Sequence, residues 1–124
     1  MNSFGIDAST LSAFADQLER KSEAAEFLVR GAVRKTTMDI AADAKSAAPV
    51  DTGNLRSSIQ TSFAGSNAQV AQGVVQARAD YSKFVEFGTS RAAPQPFLGP
   101  AGDKHLPKLQ EAVGQVIGKL VEGL

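Results

Sequence analysis

Residues 48–59, Ala48-Pro49-Val50-Asp51-Thr52-Gly53-Asn54-Leu55-Arg56-Ser57-Ser58-Ile59, combine a stop signal with a redirected start. Pro49 disfavours the α region for Ala48, so a helix arriving from upstream is expected to end there. Asp51, Thr52 and Gly53 supply turn chemistry: a carboxylate acceptor, a hydroxyl, and a residue free to take positive φ. Beyond the turn Ile59, Thr61 and Phe63 alternate, which predicts a first strand over 55–63.

Upstream of the stop, residues 22–47 contain no proline, and Gly31 is their one glycine. Leu28, Ala32, Thr36, Ile40, Ala44 and Ala47 recur every three or four positions, predicting a long amphipathic helix with a narrow, alanine-rich stripe. Glu19, Glu23, Glu26, Arg30, Arg34 and Lys35 form its other face, either solvated with pairs such as Glu26–Arg30 or an electrostatic seam between subunits. Before it, Ser9 or Thr10 is placed to cap a separate first helix bearing Leu11, Phe14 and Leu18, behind a loose leader over 1–8.

Downstream, Gly65-Ser66-Asn67 reads as a compact turn into a second strand over 69–79. Val70 lies in one register and Val75, Ala77 and Ala79 in the other, which a β-bulge at Gly73 would reconcile. Tyr81, Phe84 and Phe87, with Val85, predict a short aromatic helix stopped by Gly88 in the αL conformation. Residues 92–100 hold three prolines and are extended by necessity. Phe97 and Leu98 there are either core plugs or the tip of an arm reaching a neighbouring subunit. A last helix follows over 104–122, capped by Asp103, with Leu106, Leu109, Val113, Val116, Ile117, Leu120 and Leu124 on one side. Gly114 and Gly118 mark close backbone packing there or simple fraying. The whole reads as one α+β domain over 1–124: a long N-terminal helix on a small antiparallel hairpin, a short aromatic helix, a Pro-rich arm and a C-terminal helix.

The 124 residues include 43% hydrophobic and 21% charged residues, within the range of a folded domain. Lys+Arg and Asp+Glu both number 13, and each half, divided after Ser62, is within about one charge of neutral. No net field draws the chain to nucleic acid or anionic lipid. Zero cysteines exclude disulfides and thiolate chemistry. No apolar run approaches the length that crosses a bilayer, and the N-terminus lacks the pattern of a signal peptide, so a soluble protein of the compartment where it is translated is expected.

Catalytic chemistry is thinly represented. Asp51-Thr52-Gly53 matches the triplet of aspartic proteases, but there it follows a hydrophobic strand, whereas here a long helix and Pro49 precede it. Asp51 and Thr52 therefore read as turn braces. His105, the one histidine, rules out a His-pair metal site and reads as a surface residue. No glycine-rich phosphate loop follows a strand. Arg56, Arg78 and Arg91 sit beside turns or strands as solvated arginines, interface anchors or phosphate contacts. Neither an enzyme nor a cofactor is expected.

Three motifs in order carry a family resemblance. Pro49, Asp51, Thr52, Gly53, Leu55, Arg56 and Ile59 form the first; Tyr81, Val85, Glu86, Phe87, Gly88 and Thr89 the second; Pro96, Phe97, Leu98 and Pro100 the third. Together they resemble the tail-component family of tailed bacteriophages of the gene-product-ten type, over roughly 20–122. The resemblance implies a structural virion protein of the neck or tail top, in tail completion or head–tail joining. It implies a homo-oligomeric ring, expected to be hexameric, around the path of passing genomic DNA, without sequence-specific binding and without a membrane. Head–tail connector, tail-terminator or tail-tube proteins are the implied neighbours. Arg56, Arg91, Phe97 and Leu98 are the expected interface residues. A tail-terminator or head-closure protein of the same neck is the nearest alternative; a DNA- or protein-binding accessory module is the alternative of another class, against which the glutamates of the long helix argue.

Overall fold

One unbroken helix, α1 (Ala8–Ala47), runs through the region where two were expected. Between Leu18 and Ser22 stand Glu19, Arg20 and Lys21, all good helix formers, so nothing interrupts the ladder. At 1.5 Å per residue the 40-residue helix is about 60 Å long. The computed structural model describes residues 8–49, 53–67 and 70–123, with 8–15 and 17–19 as backbone alone. The leader (save Ala8, the first residue of α1), the caps Ser9 and Thr10, the side chains of Leu11, Phe14, Leu18 and Glu19, Asp51, Thr52 and Leu124 lie outside what is described.

The chain turns at Pro49 as expected, and Gly53 takes φ 79°. It then winds into α2 (Asn54–Ser58) rather than entering a strand directly. The expected strand over 55–63 is thus half helix. The hydroxyls of Ser57 and Ser58 donate back to the carbonyls of Asn54 and Leu55, at 3.2 and 2.7 Å, and Leu55 turns into the core. β1 (Ile59–Ser62) pairs antiparallel with β2 (Val74–Ala77), Ile59 opposite Ala77 and Thr61 opposite Val75 on the more buried face.

The connection between the strands spans 63–73, longer than the compact turn expected at 65–67, although Ser66 N–H does close a turn on Phe63 O at 3.0 Å. Gly73 is not a bulge. It precedes the ladder, and a Cβ there would collide with Thr37 Oγ1 and stand 3.0 Å from Thr37 Cβ. The glycine lets the chain pass close against α1.

α3 (Ser82–Phe87) leads through the Pro-rich segment to α4 (Gly99–Glu122), which lies antiparallel on α1. Lys21 Nζ donates to Gly123 O at one end, and Asp43 meets His105 nearer the other. The fold is α+β. Its core sits where α1 ends: Ala44, Ala48, Leu55, Ile59, Phe97 and Ala101. The buried face of α1 is Thr37, Ala41 and Ala44, with Ala48 just past its end; of the expected stripe Ala44 is buried and Ile40 packs against the core, while Leu28 is 54% exposed and Ala47 is exposed. Small side chains there let sheet and α4 approach closely. Thr37 is satisfied by donating to Val33 O at 2.7 Å. The Glu26–Arg30 pair does not form; Arg30 donates to Asn67 O instead, and the i,i+4 pair is Lys35–Asp39 at 2.6 Å.

Candidate functional site: the Glu86 clasp and the surfaces around it

The three motifs meet at the closed end of the molecule. Ala48, Leu55 and Ile59 share one buried cluster with Phe97 and Ala101, while Val85 and Leu98 pack against it. Phe97 is 1% exposed, so its side chain is a plug in its own chain's core and not the tip of an intersubunit arm. Leu98 is half-buried beside it.

Glu86 ties the second motif to the third. The first amides of a helix have no partner within it. Here the Glu86 carboxylate accepts the N–H groups of Phe97 at 2.9 Å, Leu98 at 3.0 Å and Gly99 at 2.7 Å. A negative group at this end also meets the positive pole of the α4 dipole. The helix therefore starts at Gly99, earlier than expected, with Pro100 in its first turn, where a missing N–H costs nothing. Asp103, expected as the cap, lies inside the helix.

Gly88 has φ 78° and ψ 176°, a left-handed φ with an extended ψ, not the αL stop expected. A Cβ there would stand 2.8 Å from both N and Cδ of Pro94. This bend folds the Pro-rich segment back on α3. Thr89 N–H donates to Ala92 O at 2.9 Å, Thr89 Oγ1 accepts from Ala92 N–H at 3.0 Å, and Gln95 N–H donates to Val85 O at 2.8 Å. Pro49 is half-buried; Arg56, Arg78, Arg91, Pro96 and Pro100 are exposed.

His105 is no surface histidine. Its side chain is 12% exposed, and its Nε2 lies 2.6 Å from Asp43 Oδ2, with Lys104 Nζ 3.4 Å from the same oxygen. The hydrogen bond from His105 holds the Asp43 carboxyl below its usual range, against the opposing effect of burial, with Lys104 adding to the lowering. Asp39 is lowered in the same sense, first by its hydrogen bond to Lys35. The cluster staples α1 to α4. Among the described residues no three acidic or histidine side chains gather as metal ligands.

Several large apolar side chains are exposed as well. Tyr81, Phe84 and Phe87 fan over the outer side of α3, Phe87 at 79% exposure, and Lys83 Nζ stands 5.2 Å from the Phe84 ring. Far along α1, Phe27 is 77% exposed. On α4, Ile117 and Val121 are exposed, and among the described residues nothing lies within 4 Å of a notional Cβ at Gly114 or Gly118, so none of them makes the close packing considered for these glycines.

Of the three motifs, Leu55, Ile59, Val85, Phe97 and Leu98 pack in or against the core and Glu86 caps α4. Comparison with curated proteins and with solved structures returns no match to either. Residues 12–88 match the model of the family described as "Bacteriophage HK97-gp10, putative tail-component". With more than half its length matched, the chain belongs to the HK97-gp10-like family of bacteriophage tail components.

Proposed function

We propose that this tail component is a ring subunit of the phage neck or tail top, acting in tail completion or head–tail joining through shape and packing, with no bond made or broken. The observation that carries the reading is that apolar side chains stand exposed in two separate places, Phe27 midway along α1 and Tyr81, Phe84 and Phe87 around α3. A ring needs a heterologous interface, two different patches on each copy whose rotation closes.

Charge supports the same reading. With 13 basic and 13 acidic residues the chain has no net field with which to grip DNA, and each phosphate neutralised by a cation would add sticking in a channel through which the genome slides. The isolated protein is expected to be monomeric or weakly associated, ordering into the ring on the growing tail or connector. Gold-labelled antibody against the chain, imaged on negatively stained particles, tests the location. Label at the head–tail junction supports it, and label along the tail shaft or at its tip overturns it.

A further inference from the structure

We propose that two copies of the free chain pair about a two-fold axis, each laying the open side of its α1–α4 pair on the same side of the other. A two-fold contact closes after two copies, so this is a separate surface from any that builds a ring. The 63–73 connection lies along one side of the helix pair, with Ala71 beside Val29 and Val33. The other side holds an open groove of about 470 Å³, lined by Ala24, Leu28, Ala32, Ala112, Val116 and Leu120. Leu28 stands in it 54% exposed.

The charges beside the groove name the occupant. Along its edge α4 presents Lys108, Glu111, Gln115, Lys119 and Glu122, all exposed. Their spacings of three, four, four and three place them within about 80° of the helix surface, at about 100° per residue. Reversed end for end about Gln115, the row exchanges every sign. Antiparallel to a second α4 with Gln115 on the axis, it sets Lys108 against the partner's Glu122, Glu111 against the partner's Lys119, and amide against amide. Parallel alignment sets lysine on lysine and glutamate on glutamate. A row that complements its own reverse fits a second copy of this chain.

The groove shares that centre. Lys21 on Gly123 O and Asp43 on His105 fix how α1 lies along α4, which brings Leu28 level with Gln115 and Val116. One axis therefore stacks groove on groove and pairs the charged rows. The other charges on this side are Lys35 and Lys104, ion-paired with Asp39 and Asp43, and Lys21. Lys21 keeps its charge, and the same axis brings it within about one turn of the partner's Asp39. Exposed ion pairs add little affinity each. The apolar groove supplies the attraction, and the charges select the register.

Sedimentation of the full chain at low salt is expected to show a dimer that dissociates on dilution. Lys119→Glu and Glu111→Lys are each expected to weaken it about tenfold, and the two together to restore it. Leu28→Glu is expected to weaken it at least as much. Because the chain has no cysteine, Gln115→Cys places a single thiol at the axis, and Ile117→Cys places one on an exposed position away from the charged row. With a short bis-maleimide, the first is expected to give covalent dimers and the second none. Circular dichroism verifies that each variant folds. A monomer at every concentration, a double charge swap as weak as the singles, or equal cross-linking from both cysteine variants would overturn the pairing. Cross-linking of Gln115→Cys in phage particles to a different protein, with none to itself in solution, would assign the groove to that protein and overturn it too.

Discussion

The carboxylate of Glu86 accepts the backbone N–H of Gly99 at 2.7 Å, so a side chain on the shortest aromatic helix caps the longest apolar helix of the C-terminal half. Two further amides converge on the same carboxylate. Glu86→Ala is expected to cost about 2 kcal/mol of stability, because it strips a helix cap and leaves amides without a partner. Glu86→Gln keeps one acceptor but loses the charge at the dipole, and should cost about half as much. Urea midpoints for the three proteins provide the comparison.

The acid side of the stability curve depends on Asp43. Its pKa is lowered in the folded chain, first by the hydrogen bond to His105. A depressed carboxyl contributes stability that is present above the unfolded pKa, near 3.8, and disappears as pH falls through the lower folded value. Asp43→Asn is therefore expected to flatten the loss of stability below about pH 4. Urea midpoints measured from pH 7 downward test this, and an unchanged acid limb would contradict it.

Glycines separate by what surrounds them. Gly88→Ala forces a side chain into φ 78° and against Pro94, and is expected to destabilise by about 1–3 kcal/mol or more. Gly114→Ala and Gly118→Ala meet open space in a helix interior and are expected to stabilise the isolated chain by about 0.5–1 kcal/mol each. Thermal melts distinguish the two signs.

Two phenylalanines ten residues apart should respond oppositely. Phe97→Ala empties the centre of a small core and is expected to cost about 3–5 kcal/mol. Phe87→Ala removes a ring that is 79% exposed and should change stability by about 0.5 kcal/mol or less. Denaturant titration of both variants settles the contrast.

The parts legible in the sequence were those with local signals. Pro49 ends the first helix, Gly53 takes positive φ, and the alternation of Ile59 with Thr61 and of Val75 with Ala77 selects the inward face of the hairpin. Residues 55–58 misread as strand because four residues do not separate a period of 2 from one of 3.6, and the serine back-bonds that favour a turn of helix are invisible to hydrophobic pattern. On α1, Ala44 and Ile40 of the expected stripe do meet the core, whereas Thr37 and Ala41 went unread because a hydroxyl and a small methyl carry little hydrophobic signal. Glu86 and His105 were legible only as members of a motif and a helix head, since their partners lie 11–13 and 62 residues away. The β1–β2 connection, Gly73 included, was set by its approach to Thr37, a contact no local pattern carries.

Electron microscopy of particles made by phage lacking this chain tests the central claim most directly, that it serves as a structural piece of the tail-top assembly. Filled heads accompanied by unattached tails are the predicted result. Normal, infectious virions would contradict it.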